Sequence, residues 1–224
     1  KGGYRFSETF LAGGPGAPEE AQFFERLGPV AVDADATGNL YVLDNGNYRV
    51  QVFNSSGKFV RSLGAEGEGP GEFKLPMFMA VNASGMVAVQ DIGTRRVTIF
   101  NPDGKVRNDQ ILGDRVQGLL LRDDGTLIVA YDTDSPVAQE AFDASGKTIW
   151  KLKIREDKPG GRNDRVVKVG PGLVAPAVAS GQAGTVFGVL ADAYSVGQVS
   201  PAGQLLMDFT RPYERQKATL PKRG

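Results

Sequence analysis

The sequence contains no cysteine and no histidine among its 224 residues. The absence of thiols excludes disulfides, thiolate metal sites and cysteine nucleophiles together. The absence of imidazole excludes a Ser-His-Asp triad, a His-ligated zinc site and an imidazole general base. Any chemistry must rest on carboxylates, Lys, Arg, Tyr or a metal held by oxygen. Net charge is missing too: 26 Lys and Arg balance 26 Asp and Glu, so the molecule has no overall field to gather nucleic acid or anionic lipid. No apolar run approaches the roughly 18 residues that span a bilayer. No signal-peptide pattern precedes Lys1 and the chain opens without Met, which leads to the expectation of a processed or partial product.

Thirty glycines and thirteen prolines are present, placed at regular turns rather than in low-complexity tracts. Their regularity comes from an internal repeat. VAVDADATGNLYVLDNGNYRVQVFNSSGKFVRSLG, from Val30 to Gly64, is matched by MAVNASGMVAVQDIGTRRVTIFNPDGKVRNDQILG, from Met79 to Gly113. Gly38 with Gly57, Gly85 with Gly104 and Gly184 with Gly203 are each 19 residues apart, and Gly125 with Gly146 is two residues longer. A period of roughly 40–50 residues implies an array of small supersecondary units.

One unit reads as four short strands, Val30–Val32, Leu40–Leu43, Arg49–Phe53 and Phe59–Leu63, rich in β-branched and aromatic residues. Asp-Ala-Thr-Gly-Asn and Asn-Ser-Ser-Gly-Lys separate the outer pairs and place Gly where a hairpin needs positive φ. Four antiparallel strands per repeat, joined by tight turns, predict an all-β chain: a β-propeller of four-stranded blades. Blades are expected at 28–77, 78–115, 116–165 and 166–210, in a single domain spanning 1–224. Residues 1–27 imitate the last strand and connector of a preceding blade, through Glu8–Gly13, Gly14-Pro-Gly16 and Phe24, and 211–224 form a charged tail. Four to five blades are then expected, in a ring that they do not close. Helix is expected to stay below about a tenth of the chain, because no stretch has a 3.6-residue apolar period.

Asp44-Asn-Gly-Asn-Tyr-Arg49-Val-Gln-Val-Phe53 and Asp91-Ile-Gly-Thr-Arg-Arg96-Val-Thr-Ile-Phe100 resemble the NHL repeat, whose blades carry an Asp at the end of the second strand and an Arg five residues on. The connector Gly67-Glu-Gly-Pro-Gly-Glu-Phe73, followed by Pro76, resembles that family's inter-blade signature. The match extends over Phe24–Gly113; beyond it Tyr131 takes the Asp position, and Asp192 has no Arg five residues on. The resemblance implies six-bladed propellers of the type exported by environmental bacteria, and hence a periplasmic or secreted protein. It also implies that Asp44 with Arg49, and Asp91 with Arg96, are ion pairs within a blade, fixing the hairpin between its second and third strands.

Other candidates carry two readings each. Asp33-Ala-Asp35-Ala-Thr37-Gly38 echoes the start of a calcium loop but lacks the closing Glu and occupies a hairpin slot, so no metal is assigned. Glu66, Glu68 and Glu72, with Glu19, Glu20 and Glu25 in the preceding connector, could pair for acid–base work but read as solvated loop charges. Asp33, Asp35, Tyr48, Arg95 and Trp150 make up the expected binding rim, with Trp150 expected to pack between blades or to stack a carbohydrate. Lys151–Lys168 holds seven basic residues against three acidic, and Arg211–Gly224 five against one. They lack aromatic interleaving apart from Tyr213, so nucleic-acid binding is not expected.

These residues favour a non-catalytic scaffold that holds a protein or peptide, with no cofactor, no membrane span and no catalytic residue. A blade edge left open could recruit a strand from a neighbour and make the chain an assembly subunit. The alternative is a propeller hydrolase or lactonase-like enzyme, dependent on carboxylates and calcium, with catalytic residues partly in further blades. The visible inner strands, Val30–Val32, Met79–Val81 and Gly118–Leu121, offer almost no axial carboxylates for it.

Overall fold

The alternating apolar stretches of each repeat fold into antiparallel meanders. A computed structural model describes residues 12–13, 17–23, 28–113, 115–131, 135 and 137–153, and beyond these the backbone of five strands between 164 and 212. Most of the expected strand at Glu8–Gly13, the Asp192 position and most of both basic stretches lie outside the described residues.

The first sheet is β1 (Pro29–Ala34), β2 (Leu40–Asp44), β3 (Arg49–Phe53) and β4 (Phe59–Leu63), hydrogen-bonded in chain order. Two short parallel strands, β5 (Ala65–Glu66) and β6 (Glu72–Phe73), form the connector. The second sheet repeats the first as β7 (Pro76–Val81), β8 (Val87–Asp91), β9 (Arg96–Phe100) and β10 (Val106–Ile111). The third contains β11 (Val116–Leu121), β12 (Leu127–Tyr131), β13 (Val137–Phe142) and β14 (Thr148–Lys153), and departs from the expected four strands by adding β15 (Asp164–Val166), parallel to β14. The fourth is β16 (Ala177–Gly181), β17 (Gly184–Leu190), β18 (Ala193–Val199) and β19 (Leu205–Pro212). Helix among the described residues is limited to single turns at Glu19–Ala21 and Asn45–Asn47. The chain divides into two compact units, one of Lys1–Arg115 with Leu119–Ile128 and Phe142–Lys147, the other of Val116–Gly118 with Val129–Ala141 and Thr148–Gly224.

Central strands are buried on both faces. Every residue of β8 and β12 is buried, as are all but the first of β2, β3 and β9, whereas β4 alternates between half-buried and exposed over most of its length. A sheet with two apolar faces needs a layer on each side. In the first unit that layer is the neighbouring sheet: Tyr41, Leu43, Val50, Val52 and Leu63 pack with Val87, Val89 and Phe100, and Met79 and Val81 close the seam.

The connector seals the outer end of that seam. Phe73 stands edge-on to Phe100 at 6.1 Å, and one repeat earlier Phe23 meets Phe53 at 6.0 Å with the rings tilted at 60°. Each preceding glycine is required. Gly64 has φ +86°, and a Cβ there would lie 2.2 Å from the Phe73 ring; Gly13, with φ +66°, has the same relation to Phe23 at 2.1 Å. The glycine in SLG and LAGG is therefore what lets the connector fold its aromatic ring under the chain.

Leu43 lies at the centre of the seam and is fully buried. Leu43→Ala should destabilise the protein by about 2–5 kcal/mol, since a rigid interface between two sheets closes poorly over a cavity. Chemical denaturation with an unchanged slope and a lowered midpoint is the expected result.

Candidate binding cleft

Asp44 ends β2 and Asp91 ends β8, and each pairs across its hairpin with the Arg that begins the next strand: Asp44 with Arg49, Asp91 with Arg96. Both carboxylates are buried. Such a group must be met by donors, or its burial costs several kcal/mol. The two repeats solve this differently.

In the first sheet, Arg49 Nε lies 3.2 Å from Asp44 Oδ2 and Asn47 Nδ2 donates to the same oxygen at 2.9 Å. Arg49 Nη2 also donates to the Gln22 carbonyl at 2.7 Å, tying the hairpin to the preceding connector. In the second sheet the expected Asp91–Arg96 ion pair is replaced. Asp91 Oδ2 accepts the backbone N–H groups of Lys74 and Leu75 at 2.6 and 2.8 Å. Its Oδ1 accepts the Thr94 N–H at 2.7 Å and the Thr94 hydroxyl at 3.1 Å. Arg96 turns to Asp109 on β10, Nη1 to Oδ2, at 2.7 Å. The reason is one substitution between repeats. Asp109 pairs with Thr98 as Ser62 pairs with Gln51, so only the second repeat offers a carboxylate there.

The expected rim is not one surface. Asp33 and Asp35 sit by the β1–β2 hairpin, while Tyr48 and Arg95 occupy the β2–β3 and β8–β9 hairpins at the other end of the strands. Asp33 Oδ2 accepts the Val81 N–H at 2.8 Å and ties the first two sheets together. Asp35 organises its own turn: Oδ1 accepts from Thr37 N–H, Thr37 hydroxyl and Asn39 N–H, and Oδ2 from Asn39 Nδ2 and Tyr41 hydroxyl, at 2.7–3.1 Å. Tyr48 and Arg95 both adopt left-handed backbone, φ 55° and 60°. Tyr48 packs against the seam, and exposed Arg95 donates to the Gly113 carbonyl at 2.9 Å. Trp150, at 3 % exposure within β14, offers no ring for stacking a ligand.

Partial burial alone would raise the Asp35 carboxyl, but the hydrogen bonds from Thr37 and Asn39 outweigh it and hold it at about 2. Tyr41 is pushed up to about 12 by burial, with the Asp35 charge and hydrogen bond adding to it.

Beside Asp91 the second sheet forms a cleft of about 250 Å³ lined by Glu68, Lys74, Gly93, Thr94, Arg96 and Ile111. The Ile92 N–H donates to the Leu75 carbonyl at 3.0 Å, drawing the hairpin onto the connector. Gly93 permits that approach, since a Cβ there would come within 2.7 Å of the Lys74 side chain. The Lys74 ammonium is paired with Glu68, and this hydrogen bond and charge hold the Glu68 carboxyl below its ordinary range. Leu75 (39 % exposed), Ile92 (43 %) and Ile111 (66 %) bring apolar surface to the same region. Among the described residues no group of three Asp or Glu is placed to hold a metal ion.

Sequence reasoning missed this cleft. Lys74, Thr94 and Ile111 belong to no motif, and Glu68 is the solvated charge the sequence suggests, paired with Lys74. A second cluster was missed in the other unit, where buried Glu140 accepts from Tyr131 hydroxyl (3.2 Å), Thr148 hydroxyl (2.7 Å) and Lys151 Nζ (2.8 Å). Its one sequence signal is Tyr131 at the position where the first two repeats carry Asp.

Residues 31–141 match the DUF5128 family, 6-bladed beta-propeller. No curated protein matches the chain in sequence. Among solved structures the chain is similar to a streptogramin B lyase, with 13 % identity and a TM-score of 0.58 over 85 % of this chain and 57 % of that one. The fold is a β-propeller. Virginiamycin B lyase from Staphylococcus aureus has 13 % identity and a TM-score of 0.57, covering 86 % of this propeller and 59 % of the lyase. Hydrazine synthase of Kuenenia stuttgartiensis has 15 % identity and a TM-score of 0.55, with coverages of 88 % and 53 %. At such identities the likeness concerns the fold alone. This chain spans just over half the length of those structures.

Two outcomes follow for the propeller's carboxylates. Asp91→Ala leaves three backbone N–H groups without their acceptor and should destabilise by about 2–4 kcal/mol. Arg96→Ala leaves those bonds intact and should cost less; equal losses by thermal or chemical unfolding would count against this division of roles. For Asp35, the folded carboxyl at about 2 lies below its ordinary 3.8, so its stabilisation is present above that range and lost as pH falls toward 2. The stability difference between wild type and Asp35→Asn should shrink across that window and stay flat from pH 5 to 8.

Proposed function

We propose that this propeller is a non-catalytic interaction scaffold of the NHL-repeat kind, exported from a bacterial cell, which holds a segment of a protein or peptide. The observation that carries the reading is the cleft between connector and β8–β9 hairpin, lined by Lys74, Arg96 and exposed Ile111, with Leu75 and Ile92 exposed on the segments that flank it. Cations beside aliphatic side chains suit a segment carrying an acidic residue next to apolar ones. Glu68 occupies the cationic site in cis and is itself largely exposed, so an incoming carboxylate can replace it without desolvating a new charge pair. Asp44 and Asp91, in contrast, are spent on fixing the hairpins. A sequence without cysteine, with Gly- and Asn-rich turns, suits the exported setting.

The rival reading is an enzyme, a hydrolase or lactonase-like protein using calcium and carboxylates. The propeller fold leaves it open, since similar structures include two lyases.

A display library of linear peptides selected on the wild-type protein separates the two. Enriched peptides should carry an acidic residue next to aliphatic or aromatic ones, and binding should fall at least ~10-fold for Lys74→Glu and for Ile111→Asp, about 1.4 kcal/mol. Val60→Asp, on β4, should bind as wild type does. An absence of enrichment, or peptides that bind all variants equally, would overturn the proposal. Calcium-dependent turnover of an ester or lactone panel would favour the enzyme.

A further inference from the structure

Where the first two sheets meet, one methionine has its sulfur hydrogen-bonded. The sequence has four methionines and no cysteine, so thioethers are its reversible oxidation sites. Met79 packs against the apolar seam, and Met86 is buried at 6 % exposure. Met77 is half-buried and differs from both in its backbone setting. Pro76 pairs with Asp91 and Phe78 with Gln90, which leaves Met77 as the extra residue of a bulge on β7. A bulge takes its residue out of the ladder and re-aims the side chain. The first sheet has the same irregularity at Val30, between Pro29 and Ala31. The second repeat therefore carries a sulfur where the first carries a hydrocarbon.

That sulfur meets Asn45, buried in the β2–β3 hairpin. Asn45 Nδ2 donates to the Pro76 carbonyl at 2.5 Å and to Met77 Sδ at 3.3 Å. Only the NH2 end of the amide can serve a carbonyl, so Pro76 fixes how the amide is turned, and its second hydrogen falls to the sulfur. The hairpin of the second sheet has Ile92 at the place of Asn45, one residue after its Asp, and Ile92 has no side-chain donor. A thioether sulfur has two lone pairs, and oxidation at one or the other gives the two sulfoxide epimers. Asn45 covers one of them. A separation of 3.3 Å leaves no room for an oxygen between nitrogen and sulfur.

We propose that Met77 is a site of reversible, stereoselective oxidation: a peroxide oxidises it ahead of Met79 and Met86 and gives a single sulfoxide epimer. The uncovered lone pair attacks one peroxide oxygen, and the S–O bond forms as the O–O bond breaks. The departing hydroxide takes the proton from the transferred oxygen and leaves as water. Sulfur loses two electrons and the peroxide gains them. Each epimer has its own class of sulfoxide reductase, so one class reverses the modification and the other does not. Met77 is thereby the residue through which a chain without thiols records a peroxide and is restored.

The test is hydrogen peroxide treatment of the folded 224-residue chain, with each sulfoxide located by fragment-ion mass spectrometry. Met77 should be oxidised at least ~10-fold faster than Met79 and Met86. Reductase specific for one epimer should then remove the Met77 oxygen, and reductase specific for the other should leave it. In urea the three residues should react alike and Met77 should give both epimers, which sets the unselective reference without any variant. Asn45→Ala, shown by circular dichroism to be folded, should give both epimers at Met77. Oxidation of Met77 no faster than that of Met79 and Met86 would overturn the proposal. So would both epimers in the folded wild type, or selectivity that survives in folded Asn45→Ala.

Discussion

The apolar seam between successive sheets is the interaction on which the rest of this structure depends. A meander of four short strands has too little apolar surface to stand alone, and its central strands have both faces to bury. Stacking solves both problems with one contact. Leu43, Val52, Val87 and Val89 are buried to within 1 % because each sheet is the other's core. In the first two sheets the consequence is directional: one flank of the first sheet receives, and the opposite kind of flank of the second sheet seats on it.

The polar groups serve that seam. At one end of the strands Asp33 accepts a backbone N–H from the second sheet. At the other, Asn45 donates to the Pro76 carbonyl at 2.5 Å, and Asp91 gathers the connector onto its hairpin. Each is a bond between a side chain and the backbone of a neighbouring segment, which satisfies peptide groups that leave the sheet ladders. Carboxylates used in this way have their oxygens occupied by backbone donors. On the proposed scaffold reading, the cleft beside Asp91 is the place for a partner, with Glu68 and Lys74 exposed and Ile111 open beside them.

The repeat made the fold legible. Strands at Arg49–Phe53 and Phe59–Leu63 have the bounds that alternation predicts, because apolar residues between Gly-centred turns leave the backbone few alternatives. The same reasoning failed wherever a side chain chose between partners distant in sequence. The Asp91–Arg96 spacing repeats that of Asp44–Arg49, yet Arg96 takes Asp109, thirteen residues on, because β10 places it closer. Asp33, Asp35, Tyr48 and Arg95 look alike as polar turn residues, and only strand direction shows that they lie at opposite ends. Trp150 reads either as a residue packed between blades or as a stacking platform, and only its burial decides against the second.

What the sequence determined by itself is the repeating unit: four strands, their turns and the glycines at positive φ, all set by local sterics and by the two-residue period of a pleated strand. Tertiary structure alone decided which acid meets which base, which flank is covered and where a cleft opens. Those outcomes depend on the distance between segments that are remote in the chain, and a period in sequence carries direction and spacing within a sheet but not the separation across a seam.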